Sequence, residues 1–308
     1  MQITAPGLYP MDAEVYHADP VAVPSLSSGI AKLLIRQTPM HAHAAHPRFG
    51  ASDFTPTSVM DDGSAVHAMF AGQSDMIEVI RTTYGPKTKN KDLIGKPVRD
   101  YKTAAAQEER EEIREMGKIP VLAHRLPELV ACYRAIVRQL QHAEDGDVFL
   151  SPGRPEIAAF SCENGVWLRA LVDRLPDDPK LPPGDFKLTE MSAAPGGWER
   201  RLQTEYAFQD AFYRRVLRGA EGFSRPPMRF GVGELNPPHG TVIMAAAPQL
   251  QALAEAEVER AIRIWRHCIE RNEWPGYPHY TAWVDPTPWQ MREAEATELR
   301  HEIMEMTP

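Results

Sequence analysis

The sequence predicts a single mixed α/β domain, with strands gathered in the middle of the chain and long helices on either side of them. Two observations predict it. Apolar residues recur at helical spacing in LAHRLPELVACYRAIVRQLQ and again in QLQALAEAEVERAIRIWRHCIERN. Between those segments, over residues 155–190, the period changes to two, and Asn164-Gly165 separates two apolar runs. Asn-Gly between β-prone runs is the strongest short-range hairpin signal, because both turn positions need positive φ.

Taken in order, residues 1–60 look irregular and rich in Pro and His, with one short helix in VPSLSSGIAKLLIRQTP. Ser25 or Ser27 can cap that helix, and Pro39 stops further helix soon after it. A second helix begins near MDDGSAVHAMFAG, with Asp61 or Asp62 as its cap. The segment Gly85–Lys102 holds Lys87, Lys89, Lys91, Lys96, Arg99 and Lys102 against Asp92 and Asp100, and reads either as a solvated loop or as a local basic groove. DYKTAAAQEEREEIREMG is helix-prone. After the hairpin come a loop, PDDPKLPPG, and a third strand, DFKLTEM. WERRLQTEYAFQDAFYRRVLRG returns to helix, closed by Gly219; RFGVGEL and GTVIMAAAP read as two more strands; the long final helix ends at WPGYP. Residues 1–150 are thus expected to be a mostly helical N-terminal elaboration, and residues 151–308 the core that carries the chemistry.

The chain of 308 residues is 43% hydrophobic and 25% charged, an ordinary globular composition. No apolar run approaches the roughly 18 residues of a membrane span, and the N-terminus has no signal-peptide pattern. Cys132, Cys162 and Cys268 are scattered, without CxxC spacing, which indicates neither a disulfide framework nor a zinc knuckle. These features predict a cytosolic protein with no membrane partner. The net charge of −8 argues mildly against a nucleic-acid partner, although acidic metal-binding clusters would lower it without touching a local basic surface.

The hairpin register sets Glu156 directly across from Asp173. Cross-strand neighbours have Cβ atoms about 5 Å apart, and like charges there are destabilising, so something positive is expected between them. On the third strand Asp185 and Lys187 are i and i+2 and share a face. The loop from Pro176 to Pro183 returns that strand beside the one that ends at Asp173. Three carboxylates and a lysine therefore converge at one sheet edge. Carboxylates suit a hard cation such as Mg²⁺, which stays partly hydrated and completes its shell with phosphate oxygens. A lysine beside them can hold or deprotonate a water and offset charge in a transition state. D-x-K alone is a weak signal; a hairpin-paired Glu and Asp followed by a strand D-x-K is more specific.

With those residues in place, the chain resembles the exonuclease VIII (RecE-like) branch of the PD-(D/E)XK nuclease superfamily, which includes phage recombination exonucleases. The resemblance runs from GLYPMDAEVYHAD and SLSSGIAKLL through GSAVHAMFAG to the late WPGYP. Its motifs fall in order: His67 in GSAVHAM, Glu156 in PEIAAF, Arg169 and Asp173 in RALVD, Asp185 and Lys187 in DFK, Gln209 and Tyr213 in QDAFY. The resemblance implies a restriction-endonuclease-like mixed sheet and Mg²⁺-dependent (Mn²⁺ as substitute) cleavage of duplex DNA from its ends. It further implies single strands left for an annealing protein, and a ring-like homo-oligomer. Implied metal ligands are His67, Glu156, Asp173 and Asp185, with Lys187 as the catalytic lysine and Gln209, Tyr213 and Arg169 toward the substrate. One departure stands out: Leu188 intervenes where the family commonly continues D-x-K directly with threonine.

Bland readings compete with each assignment. His67 could be a packed core histidine, Tyr213 ordinary helix–sheet packing, Arg169 an orienting partner for a carboxylate, and Glu234 a strand-end ion pair. For the whole protein, the alternatives are a non-catalytic DNA-binding or scaffold protein of a phage assembly, and an endonuclease or single-strand nuclease of the same fold.

Overall fold

Seven strands build the main sheet of the computed structural model, which describes residues 2–50 and 58–306. Contacts divide the chain into two compact units, Met1–Pro275 and Gly276–Pro308. In the first unit β1 (Gly7–Pro10), β2 (Leu26–Ser27), β5 (Gly153–Glu163), β6 (Val166–Pro176), β7 (Gly184–Thr189), β8 (Arg229–Glu234) and β9 (Thr241–Met244) make a mixed sheet. Its order is β1-β5-β6-β7-β8-β9, with β2 added on β6. A small parallel pair, β3 (Ile77–Ile80) and β4 (Ile119–Leu122), stands apart from it.

Helices cover the sheet: α1 (Ala13–His17), α2 (Ser28–Arg36), α3 (Pro39–Ala45), α4 (Ser58–Phe70), α5 (Ala104–Glu115), α6 (Arg125–Leu140), α7 (Asp147–Leu150), α8 (Pro195–Arg201), α9 (Ala207–Glu221) and α10 (Pro248–Arg271). Period two on β6 sorts its side chains. Leu168, Ala170 and Val172 join the apolar layer of α2, α9 and α10, around Phe208, Phe212, Ile262 and Trp265. Trp167 and Leu171 pack instead with Ile3, Tyr16, Val21 and Phe160. Under α4 and α6 a separate core holds Val66, Leu129, Ile136, Phe149 and Phe186. Among the described residues no helix is long and apolar enough to cross a membrane.

The mixed α/β class expected from the sequence is the one observed, with several local corrections. Residues 2–50 are not irregular: they supply β1, which pairs antiparallel with β5, and β2, which pairs parallel with β6, while residues 51–57 lie outside the described residues. Short strands made of GLYP and LS carry no alternation to read. Ser27 is the cap of α2, accepting from Ile30 N at 3.4 Å. Pro39 starts α3 rather than ending helix, since the first helical position needs no N–H. Asp61 caps nothing; it lies within α4 and binds the guanidinium groups of Arg110 and Arg114. Gly219 lies inside α9, where a Cβ would come within 2.6 Å of Ser161 Cβ. The helix ends at Gly222, which takes the left-handed φ of 81°. The second unit holds an unforeseen helix, α11 (Pro288–Met306).

The hairpin behaves as its turn demands. Asn164 and Gly165 adopt φ of 48° and 82°, and the register pairs Pro155 with Arg174, Ile157 with Val172 and Glu163 with Val166. The Glu156–Asp173 step, however, is not a regular ladder pair. Glu156 takes a left-handed φ of 44°, the wrong side of the map for a residue with a Cβ, which costs about 1–2 kcal/mol. The twist falls where two like charges would otherwise face each other squarely.

The other edge of β6 is shared. β2 pairs with Leu168 and Arg169, and β7 touches β6 only at Arg174. A buried polar knot holds the β2 half. Asp19 accepts from Ser25 N at 2.9 Å and Ser25 Oγ at 2.6 Å, and Arg169 Nη1 lies 3.0 Å from Asp19 while donating to Ser25 O at 2.7 Å. Arg48 N donates to His46 Nδ1, so Nε2 carries the proton and donates to Ser25 O at 3.0 Å.

The His46 imidazole is fully buried there. Burial, with Arg169 and Arg48 nearby, pushes it down to about 4 against the opposing pull of the Ser25 carbonyl and Asp19. Unfolded, it titrates near 6.5, so its stabilising contribution is complete above that pH and is lost as pH falls toward 4. Urea unfolding should show wild-type stability dropping across this window, by on the order of 3 kcal/mol from His46. His46→Gln should flatten that part of the slope; an unchanged slope would show that His46 is not held neutral.

Candidate active site

The site forms where β6 and β7 part. Gly184 permits the single contact between them, because a Cβ there would meet Val148 Cγ1 at 2.9 Å and the Phe149 ring at 3.0 Å. Immediately past that contact the strands diverge, and Asp173 and Asp185 are the first residues on either side of the gap. Their carboxyl groups are within hydrogen-bonding reach of each other. Asp185 is 1% exposed. Its Oδ2 accepts from Gln209 Nε2 at 2.6 Å, and its Oδ1 lies 2.6 Å from Lys187 Nζ. The Lys187 ammonium thus takes one oxygen of Asp185 and the Gln209 amide the other.

Electrostatics follow from this crowding. Burial raises the Asp173 carboxyl well above the usual range, and Asp185 raises it further, with Lys187 pulling the other way. Glu156 adds a smaller push in the same upward direction. Burial alone would lower the Lys187 ammonium, but Asp185 and Asp173 outweigh it and hold the group above its ordinary value. Lys187 is therefore cationic at neutral pH. His67, on α4, is pushed down to about 4 by burial and then by Lys187, despite Asp185 and a hydrogen bond to the Phe186 backbone. It is a neutral imidazole with a fixed ring.

A cleft of about 450 Å³ opens onto this group. His67, Glu156, Asp173 and Arg174 line it, with Ser64 and Gln73 and an apolar wall of Phe70, Phe149 and Phe186. Asp185 and Lys187 reach the cleft through Asp173 rather than lining it. Arg174 donates to Ser151 O, while its Nε is buried without a partner.

Of the side chains singled out from the sequence, His67, Glu156, Asp173, Asp185, Lys187 and Gln209 are brought together. Gln209 steadies Asp185 directly, a closer role than reaching for substrate. Arg169 is placed elsewhere: it is 3% exposed and committed to Asp19 and Ser25. The phosphate-binding role expected for it does not fit, and the carboxylate it orients is Asp19. The guanidinium at the cleft is that of Arg174, which sequence reasoning passed over because strand alternation assigns it the face opposite Asp173. Tyr213 packs between the cores of α9 and β8, its hydroxyl near the Leu171 backbone. Glu234 accepts from Ala193 N at 2.7 Å and Gly240 N at 3.3 Å, tying two loops together.

Tyr206 is a further arrival, with Lys187 Nζ 5.7 Å from its ring centroid. It ends a π-helical turn, Leu202–Tyr206, between α8 and α9. Such turns mark functional sites often, but LQTEY carries no local signature of one.

The residues fit a divalent cation of the hard, hydrated kind. Asp173 and Asp185 are close enough for each carboxyl to act on the other, and Asp173 lines the open cleft where a hydrated cation could reach it. Among the described residues no three His, Cys, Asp or Glu side chains stand together so as to hold a metal ion, so His67, Glu156, Asp173 and Asp185 do not converge as the four-ligand set that the resemblance implies. Mg²⁺ does not need such a set, since it commonly takes one or two carboxylates and keeps several waters.

No protein-family profile matches the chain, and no curated protein matches it. Among solved structures, the crystal structure of a protein from Eubacterium rectale described as a "putative exonuclease" matches with a TM-score of 0.51 and 11% identity, over 91% of this chain and 96% of that one. At that identity the likeness is one of fold alone, and it agrees with the mixed α/β architecture described above.

The facing carboxyls should limit stability when no cation is bound. A carboxyl raised in the folded state is a burden that is absent below about pH 3.8 and grows as pH rises through its raised range. Metal-free Asp173→Asn should therefore melt higher than wild type at pH 8, by roughly 2–6 °C, with the gap closing toward pH 4. A midpoint that falls at pH 8 would mean Asp173 is held by favourable contacts rather than crowded.

Proposed function

We propose that this protein is a Mg²⁺-dependent deoxyribonuclease that hydrolyses phosphodiester bonds from the ends of duplex DNA. The observation that carries the reading is the Asp173–Asp185 pair at a cleft with Lys187 Nζ 2.6 Å from Asp185. The nuclease-like fold supports it, as does the motif order that resembles RecE-like exonucleases. Asp173 and Asp185 would hold the cation, which when bound supplies positive charge at the scissile phosphate, with Glu156 beside them. His67, neutral and oriented by Phe186, would complete that wall as a ligand or as a donor to phosphate.

Lys187 takes a defined role in this scheme. Its ammonium is held protonated by two carboxylates, so it is a poor base for a water. It serves as a fixed positive charge that gains most when negative charge develops on the phosphoryl oxygens. Gln209 fixes the orientation of Asp185 by holding the carboxylate oxygen that Lys187 does not contact. The digested end would leave a single strand available for annealing, as the RecE-like resemblance implies.

Purified protein should release nucleotides from linear duplex with Mg²⁺ and stop with EDTA, while closed circles stay intact. Asp185→Ala should abolish activity. Lys187→Met should fold normally, bind duplex as wild type does, and lose at least about a hundredfold in turnover. Cleavage of closed circles would make the enzyme endonucleolytic. No degradation of any DNA with Mg²⁺ or Mn²⁺ would leave a binding protein of the same fold.

A further inference from the structure

The most basic stretch of this acidic chain is a folded arm rather than a loose loop. It leaves the end of β3 and returns to α5. Tyr84 N donates to Lys96 O at 2.9 Å, Gly95 N to Tyr84 O at 2.9 Å, and Val98 N to Thr82 O at 3.1 Å. Arg99 N donates to Tyr84 Oη at 3.1 Å, and Asn90 caps a short turn at Asp92 N. The base is anchored by Ile80 and Val98, each 1% exposed, against Ile113 and Leu122. On this frame stand six cations, Lys87, Lys89, Lys91, Lys96, Arg99 and Lys102, against Asp92 and Asp100. Lys102 pairs with Asp100, and Lys91 donates to Pro86 O. Among the described residues Lys87, Lys89, Lys96 and Arg99 have no carboxylate partner, and all four are exposed.

A cluster of cations without carboxylate partners repels itself, and Asp92 and Asp100 are the two carboxylates of this segment. The arm is also coupled to the cleft by a rigid element. Met76, next to the start of β3, and Ile119, at the start of β4, line the cleft, while the arm springs from the other end of β3. Four residues of strand span about 13 Å, a few nucleotides along a duplex backbone at about 3.4 Å per residue of one strand. We infer that this arm is the docking surface for the phosphate backbone of duplex DNA whose end lies in the cleft. The inference rests on the proposed function for the identity of the ligand, but its test does not require cleavage. The chain's overall charge of −8 makes such a local surface necessary, because the rest of the molecule repels a polyanion.

The experiment is anisotropy of a short labelled duplex titrated with protein in EDTA, over a series of salt concentrations. The variant carries Lys87→Ala, Lys89→Ala, Lys96→Ala and Arg99→Ala together. All four positions are exposed, so its thermal unfolding should match wild type. Its plot of log affinity against log salt should be shallower by about 3 to 4, close to one counterion per lost contact. At about 0.1 M salt it should bind at least tenfold more weakly. An unchanged slope in a folded variant overturns the inference, even if the wild type digests DNA. Arm-dependent duplex binding by a protein that digests nothing keeps the arm and rejects the nuclease.

Discussion

Two neighbouring carboxyl groups, Asp173 half-buried at the cleft and Asp185 buried behind it, are the constraint to which the rest of the fold is adjusted. Isolated burial of one such charge is expensive, and burial of two in contact is worse. The surroundings reduce that cost piece by piece. Lys187 supplies a cation on the same strand face, Gln209 satisfies one oxygen of Asp185, and Glu156 is twisted out of the ladder beside Asp173. What is left over is the raised carboxyl of Asp173, crowded by Asp185 and Glu156 at the mouth of the cleft. A group perturbed in that way at a cleft is a candidate for a functional role.

The gap that houses the pair exists because β6 divides its second edge. β2 takes Leu168 and Arg169, β7 takes Arg174, and residues 170–173 between them have no strand partner on that side. Tyr16 and Tyr213 both approach the backbone at Leu171, where a ladder bond would otherwise run. Holding β2 in place is therefore part of building the site, although β2 contributes no group to it. The Asp19–Ser25–His46–Arg169 knot does that work from a distance, which explains why Arg169 shares a motif with Asp173 while standing apart from the cleft.

How much of this could be read from the chain depends on the range of the interaction. The hairpin register was legible because Asn164-Gly165 admits few turn geometries, and that register delivers Asp173. Asp185 and Lys187 followed from period two alone. The twist at Glu156 was not legible, because repulsion between strands acts on the backbone and leaves no mark in composition. Nor was the partner of Arg169: Asp19 lies in a segment with no periodic pattern, and only the folded chain joins them. Arg174 and Tyr206 were hidden by local departures, one at a strand end, the other in a π turn.

The same logic separates the two broad readings of the protein. A module that only binds DNA gains affinity by presenting cations to phosphate, and carboxylates facing a polyanion oppose that. In this chain the two kinds of charge are separated in space: exposed cations without carboxylate partners on the arm after β3, and the carboxylates of Asp173 and Asp185 at the end of β6 and the start of β7. Neither arrangement needs the other for folding. The cations confer no stability on the arm, and the carboxylates destabilise the sheet edge they occupy. Both features work against folding, and the proposed reading gives each of them a ligand: a hydrated cation for the carboxylates and backbone phosphates for the arm.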